Sequence, residues 1–525
     1  MSENRKIIKN AALVGFFTTI SRILGLLRDM VIAGMFGAGM ATDAFFVAFR
    51  IPNVLRRLFA EGALTVSFIP IFKEAYARGG AKEAKEVSDI VFTFLSFILA
   101  IVVILSIVFA PSIVTLIAGG FDNPEKFELT VYLTRITFPY LFLISLVALA
   151  MGVLNSVGHF AAPAAAPVLL NIAIILSAFI LGPFLGEPVL SLAIGVVAGG
   201  IFQVILQVPV LIKRGYFPSI NFDFRNPSLK RLMCLMAPAL FGIAVYQLNI
   251  FISTIIATYL PEGSVSYLYY ADRFFQLPLG IFVVSLATAV LPTMSEQAAE
   301  GRLDHMRESL SFSLKVIMFI TLPAAAGLLA VSIPVFSLFF QRGKFDYLTT
   351  VKTAEALQYY AIGLWAIGGV KIVVPAFYAM QDMKTPVWAA FAAFITNIVF
   401  SLILMGPMEH SGLALATTIS AIFNLALLVF VIRARVGAIV DGSVVVSFLK
   451  SIVSSILTAF VAMWICGFGD WKTDGLIIQK SLLLSAAIAG GSATYITAAL
   501  VLRSEEAGYV LREINKRLRR KYGKT

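Results

Sequence analysis

Residues 21–63 read SRILGLLRDMVIAGMFGAGMATDAFFVAFRIPNVLRRLFAEGA. Two apolar runs meet at the glycines Gly34, Gly37 and Gly39, and charge is embedded in both. Arg22, Arg28 and Asp29 fall in the first run; Asp43, Arg50, Arg56, Arg57 and Glu61 fall in or beside the second. Hydrocarbon about 30 Å thick is crossed by roughly 20 apolar residues in a helix. Both runs are long enough, yet each Lys or Arg facing lipid at the midplane costs ~2.5–3.5 kcal/mol. The stretch therefore reads as two transmembrane helices whose charged sides are turned away from lipid. Gly25 and the three glycines at the exit make the first helix deformable. Pro52 removes a backbone hydrogen bond from the second helix and bends it.

The remainder of the 525 residues follows the same pattern. The chain is 59% hydrophobic and only 13% charged, against roughly 25% charged in soluble domains; mean hydropathy is +0.91. Apolar runs separated by polar, Gly and Pro punctuation predict an all-α integral membrane protein of about fourteen transmembrane helices. They cover 10–36, 42–72, 88–118, 128–154, 162–183, 188–212, 230–260, 265–295, 309–339, 353–380, 386–406, 411–432, 446–467 and 481–502. Arg5, Lys6 and Lys9 before the apolar run from Ala11 mimic a signal peptide, but the helical pattern continues through Arg22 and Arg28 without a small-residue cleavage site. An uncleaved first helix is expected.

Charge asymmetry orients this arrangement. Connections predicted on the cytoplasmic side, with both termini, carry 26 Lys and Arg; those on the opposite side carry 6, including Lys126, Arg342 and Lys472. The positive-inside rule then places both ends in the cytoplasm. The net charge of +12 reads as orientation signal and headgroup contact, not nucleic-acid binding. The basic tail, residues 511–521 (LREINKRLRRK), has the same reading.

Repetition divides the helices. Pro70-x-x-x-Glu74 closes helix 2 and Pro292-x-x-x-Glu296 closes helix 8; each helix carries an earlier proline, Pro52 or Pro278, near Arg50 or Arg273. The two motifs are six helices apart in order, so the repeats are parallel. Residues 1–214 and 215–436 are the expected six-helix lobes around a central cationic cavity, with two extra C-terminal helices in 437–503 and a basic tail in 504–525. Repeats of this kind place a transporter's substrate near the midplane.

Charges inside the predicted spans decide what the cavity holds. Arg22, Arg28, Arg50, Arg56, Arg57, Arg135, Arg273, Lys315 and Lys371, all exposed to lipid, would cost roughly 27 kcal/mol, beyond the ~5–15 kcal/mol stability of a folded protein. Lys315 and Lys371 are expected to snorkel, Arg135 to meet an acid or the outer headgroups, and Asp272 and Arg273 to form a local pair or face the cavity. In helices 1 and 2 the five arginines exceed Asp29, Asp43 and Glu61 by two. Guanidinium groups grip phosphate through two parallel hydrogen bonds and stay charged in any surroundings. Asn53 lies one helical turn from Arg50, Arg56 and Arg57 and shares their surface. The pattern is an anion site in a bendable pair of helices.

Enzyme chemistry has little support. His159, His305 and His410 have no metal-ligand spacing, and Gly523-Lys524-Thr525 lacks the earlier glycine of a phosphate loop, having Leu518 there. Cys234 and Cys466 make no disulfide framework. No ATPase motif is present, so transport would draw on gradients, membrane potential or mass action.

Ser21-Arg22-Ile23-Leu24-Gly25-Leu26-Leu27-Arg28-Asp29, the run from Gly37 through Asp43, Arg50-Ile51-Pro52-Asn53 and Arg56-Arg57 to Ala63, and Tyr270-Ala271-Asp272-Arg273 followed by Leu277-Pro278 closely resemble the MurJ (MviN) lipid II flippases. The likeness runs over essentially the whole chain. It implies membership of the multidrug/oligosaccharidyl-lipid/polysaccharide exporter superfamily, with the last two helices grooved for a lipid tail. It also implies transport of undecaprenyl-pyrophosphate-linked peptidoglycan precursor, lipid II, to the outer leaflet of a bacterial cytoplasmic membrane. Carried over by motif, the substrate-binding positions are Arg22, Arg28, Asp29, Asp43, Asn53, Arg56, Arg57, Ser266 and Arg273. Gln276 stands where relatives can carry an acid, so no charge relay is assigned to it. Some relatives bind sodium; the counterparts here, Asn249, Asn397, Ser401 and Thr417, include no carboxylate, and hydrogen bonds between packed helices are the competing role. No cofactor is implied beyond dependence on membrane potential or a coupling cation. Membrane lipids and cell-wall synthesis proteins are the further partners. The competing readings are export of another lipid-linked oligosaccharide and a scaffold for wall synthesis.

Overall fold

Backbone amides and carbonyls within hydrocarbon have no water to bond, so an apolar chain of this kind satisfies them inside helices. The computed structural model describes residues 3–56, 64–509 and 512, and among these every predicted span is helical over most of its length. Arg57, Glu61 and the tail from residue 513 lie outside the described residues. The chain divides by its contacts into two units, residues 1–266 and 267–525.

The first unit holds α1 (Glu3–Phe36), α2 (Met40–Arg56), α3 (Leu64–Val108), α4 (Ala110–Ile117), α5 (Pro124–Thr137), α6 (Pro139–Ser156), α7 (Ala161–Ile180), α8 (Leu190–Arg214) and α9 (Pro227–Ala257). α10 (Ser264–Pro278) begins at its end and continues into the second unit. There follow α11 (Val284–Ala299), α12 (Leu303–Phe339), α13 (Tyr347–Ile362), α14 (Leu364–Ala379), α15 (Lys384–Val436), α16 (Gly442–Cys466) and α17 (Ile477–Val501). Side-chain caps set several starts: Asn123 accepts from Glu125 N before Pro124, Asn226 from Ser228 N before Pro227, and Asp441 from Val444 N.

Two long helices are each interrupted. α3 breaks at Gly79 and Gly80, where Gly80 has φ +68° and ψ −154°, a conformation only glycine adopts without strain. α15 breaks at Glu409, with φ +49°. A five-residue π-helical stretch, Leu279–Val283, joins α10 to α11 just after Pro278. By length and composition ten helices among the described residues can cross a bilayer, or eleven when the bent pair α13 and α14 is one span.

In the first unit α3 packs on α6 and α9, α7 on α1 and α8, and α2 on α5 and α6. Its core joins Phe68, Phe72, Ile90, Leu149 and Tyr216. Within this unit α9 packs against α3. In the second unit α12 packs on α13, α14, α16 and α17, around Met306, Leu310, Ile317, Phe377 and Leu428. Large apolar side chains also point outward on many helices, among them Phe97, Ile104, Phe179, Phe430, Ile456 and Phe460. In water such a surface would aggregate; against lipid it is the favoured one.

Candidate functional site

Helix α1 delivers Arg28 and Asp29 to a buried position against α7. Arg28 is 9% and Asp29 1% exposed. Arg28 Nε and Nη2 donate to Asp29 Oδ1 at 3.0 and 2.8 Å, and Nη1 donates to Asn171 Oδ1 at 3.1 Å. Asn171 Nδ2 donates to the Ser21 carbonyl at 3.1 Å, tying the amide of α7 across about two turns of α1. A carbon added at Gly25 would sit 3.9 Å from Asn171 Nδ2, so the two helices run close. Arg28 is thus oriented by an acid of its own helix and by a neutral amide opposite. Asn171 escaped the sequence reading; the available signal was a lone amide in an otherwise apolar helix.

Helix α2 delivers Asp43 to a second buried centre. Lys126 Nζ donates to Asp43 Oδ2 at 2.9 Å, and Gly263 N donates to the same oxygen at 2.8 Å. Ser266 supplies both its backbone N, at 3.0 Å, and its hydroxyl, at 2.7 Å, to Oδ1. The carboxylate sits at the start of α10, where backbone N–H groups lack helical partners and the helix dipole favours negative charge. Asp43 is 1%, Ser266 0% and Lys126 6% exposed. Asp43 and Ser266, both expected among the substrate positions, meet here, and Lys126, expected in a connection outside the membrane, is buried against Asp43.

The surrounding turns are equally tight. Met40 N donates to Glu262 Oε1 at 2.7 Å. A carbon on Gly120 would lie 2.5 Å from Tyr259 N, which explains how the connection before α5 brings Lys126 inward. Lys126 Nζ also lies 4.2 Å from the centre of the Phe121 ring. Three connections predicted on the same side of the membrane, those before α2, α5 and α10, therefore meet at one end of the first unit.

Farther along α2, Arg56 Nε and Nη2 donate to Asn53 Oδ1 at 3.1 and 3.0 Å, the i,i+3 pairing its spacing predicts. Arg50 and Arg56 are half-buried, and Arg22 on α1 is exposed. Over residues 21–56, Arg22, Arg28, Arg50 and Arg56 stand against Asp29 and Asp43, so these two helices stay cationic even though both acids are engaged. Asn53 orients Arg56 without neutralising it.

In the second unit Arg273 on α10 is half-buried, donates to the Tyr269 hydroxyl and lies 4.5 Å over the Tyr269 ring. Gln276 donates to Asp272 one turn away, an amide where a carboxylate would have repelled it. Lys315, expected to reach headgroups, donates instead to Glu505 Oε2 at 3.2 Å. Of the neutral positions considered for sodium, Asn249 lies on α9 in the first unit. Asn397 and Ser401 are buried one turn apart on α15, and the Thr417 hydroxyl donates to the Leu413 carbonyl at 3.0 Å. No cluster of three His, Cys, Asp or Glu residues suited to a metal occurs among the described residues.

The chain has counterparts among known proteins. A family model described as lipid II flippase MurJ matches residues 32–486. The chain belongs to the MurJ lipid II flippase family. A probable lipid II flippase MurJ of Vibrio cholerae is 34% identical over 508 residues, covering 95% of this chain and 97% of that protein. The lipid II flippase MurJ of Burkholderia cenocepacia is 40% identical over 427 residues, covering 80% and 83%. A solved lipid II flippase MurJ in an inward closed conformation superposes with a TM-score of 0.78 at 28% identity, covering 94% of this chain and 99% of that one. An inward-facing multidrug transporter of the MOP superfamily, at 16% identity and a TM-score of 0.65, shares the fold. Within the MurJ family, then, this chain carries its helix 1 and 2 arginines as a set held by side-chain partners: Arg28 by Asp29 and Asn171, Arg56 by Asn53.

Proposed function

We propose that this chain is a transporter, not an enzyme, that flips undecaprenyl-pyrophosphate-linked peptidoglycan precursor from the inner to the outer leaflet of the bacterial cytoplasmic membrane. The observation that carries this reading is the cationic surplus of α1 and α2 in a chain of the MurJ family. Its acids are engaged by Arg28 and Lys126, leaving net positive charge for a diphosphate. Arg22, Arg28, Arg56, Arg57 and Arg273 bind the headgroup as guanidinium donors, while Asn53 and Asn171 hold Arg56 and Arg28 in a fixed orientation. Asp43 and Ser266 fasten the start of α10.

The headgroup moves by alternating access of the two six-helix lobes, and the lipid tail stays in the bilayer or along α16 and α17. Both termini are cytoplasmic. With that side negative, outward movement of anionic charge is downhill by ~2.3 kcal/mol per charge per 100 mV. Two phosphate charges would gain roughly 4.6 kcal/mol per 100 mV. The potential therefore drives either export of the anion or the return of the empty cationic cavity, but not both by the same charge movement.

Complementation of bacteria depleted of their own flippase tests the reading. The wild-type chain should restore growth, and Arg28→Ala and Arg273→Ala should be inserted in the membrane yet fail. Growth supported by either variant removes that residue from the site; failure of the wild type defeats the function.

A further inference from the structure

The connection between α8 and α9 lies along the side of α3 in a fixed register. Residues 216–226 are not helical. Ser219 N donates to Asp89 Oδ1 at 3.0 Å, and Asn221 N donates to Thr93 Oγ1 at 2.9 Å. Asp89 and Thr93 are one helical turn apart on α3, while Ser219 and Asn221 are two residues apart in an extended chain. Alternation along that chain turns the residues between and beyond them the other way. Lys85 Nζ completes the attachment, donating to Asp89 Oδ2 at 2.6 Å and to Ser219 Oγ at 3.0 Å.

What is turned outward is apolar. Ile220 is 79% and Phe222 67% exposed. The Phe224 ring meets Phe94 at 5.5 Å, Phe97 at 6.4 Å and Phe222 at 5.8 Å. Phe97 starts an exposed apolar stripe that continues up α3 through Ile101, Ile104 and Leu105. The outward side chains of the connection are thus continuous with a helix surface that faces hydrocarbon. Exposed cations bracket them: Lys213 and Arg214 at the end of α8, Arg225 in the connection, Lys230 and Arg231 on α9. Against these stand Asp223 and Glu74, the latter paired with Arg231 at 2.5 Å.

Aromatic and aliphatic side chains next to surplus Lys and Arg, at the end of a lipid-facing stripe, match the headgroup layer of an anionic leaflet. We propose that residues 216–226 form an interfacial strap seated on anionic lipid, with Ile220 and Phe222 below the headgroups and the bracketing cations on their phosphates. Continuity with the apolar stripe of α3 selects lipid over a protein partner, which would have no need of it. The strap anchors the cytoplasmic end of the α8–α9 connection, and it depends on membrane embedding, not on which substrate is flipped.

Fluorescence quenching in the full-length protein tests this. Cys234→Ser and Cys466→Ser clear the background, and Phe222→Cys carries an environment-sensitive label. The protein is reconstituted in vesicles of phosphatidylcholine, with or without phosphatidylglycerol. Ile104→Cys serves as the lipid-facing control and confirms insertion; Asp304→Cys serves as the aqueous control. A spin label on the upper acyl chain should quench the residue 222 label severalfold more than aqueous iodide does. Phosphatidylglycerol should strengthen that quenching, and Lys213→Gln with Arg225→Gln and Lys230→Gln should remove the gain, about fivefold in partitioning per cation. A residue 222 label that iodide quenches as it does the label at 304 overturns the strap in favour of water, and one that neither quencher reaches overturns it in favour of a protein partner. Equal quenching in both lipids overturns its preference for anionic headgroups.

Discussion

Replacing Lys126 by methionine keeps its length and its packing on Phe121 but strips the counter-charge from Asp43. The two side chains are 8% and 2% exposed and 2.9 Å apart, so water cannot take over. Losing one partner of a buried ion pair costs ~3–5 kcal/mol, because the other charge stays buried. Here Gly263 N and the Ser266 N and Oγ still donate to the carboxylate, which places the loss near the lower end, about 3 kcal/mol. Adding Asp43→Asn removes the stranded charge. The new amide must point its NH2 group at one of the donors from Gly263 or Ser266, so recovery is partial, and a coupling of ~2 kcal/mol remains between the two sites. Equilibrium unfolding by SDS in mixed micelles, measured on the wild type, both single variants and the double variant, gives that coupling directly. Additive losses, with a coupling under about 0.5 kcal/mol, would refute a compensated buried pair.

Four further outcomes follow from the same geometry. Asn171→Leu removes an acceptor from Arg28 and should destabilise by about 1.5–3 kcal/mol in the same unfolding assay, with Asn171→Asp losing less. Arg56→Lys should impair flipping nearly as much as Arg56→Ala, since an ammonium cannot reproduce the fork held by Asn53; equal activity of Lys and Arg would show that charge alone suffices. Gly120→Ala drives a carbon to 2.5 Å from Tyr259 N and should cost ~1–3 kcal/mol, read as a lowered unfolding midpoint, whereas Gly186→Ala, with open space around it, should not. Asp382 accepts from the Thr385 hydroxyl and backbone and pairs with Arg435, which hold its carboxyl below the ordinary 3.8. Its contribution is therefore complete above pH 3.8 and is lost as pH falls toward the lowered native value. The difference in stability between wild type and Asp382→Asn should accordingly shrink on acidification, and a difference that does not change with pH would oppose this.

Helix positions and the character of the site were legible because both rest on composition along single helices. An arginine in a long apolar run must be compensated or wetted, whichever neighbour does it, and the Asn53–Arg56 spacing fixes its own contact. Partners from elsewhere in the chain were not legible. Lys126 sits in a polar-flanked segment that hydropathy assigns to a connection; it is buried because Gly120 lets that connection settle on Tyr259. Asn171 looks like any packing amide until α7 is laid on α1. The break at Glu409 falls in the connection expected between the spans 386–406 and 411–432, where Gly406-Pro407 announces it, as Gly79-Gly80 announces the break in α3. The strap on α3 depends on Asp89 and Thr93 meeting Ser219 and Asn221, which are 130 and 128 residues away in sequence. Arg57 and Glu61, central to the charge count, lie outside the described residues.

The central claim is that this chain alone carries a diphosphate-linked lipid across a bilayer by means of its cationic helices 1 and 2. Purified protein in vesicles loaded with lipid II, scored by an enzyme that modifies only outer-leaflet headgroups, measures it most directly. Wild-type protein should render the inner pool reactive, while the combined Arg28→Ala and Arg56→Ala variant, still inserted, should leave it protected. Equal exposure of lipid II by both proteins, or by neither, would contradict it.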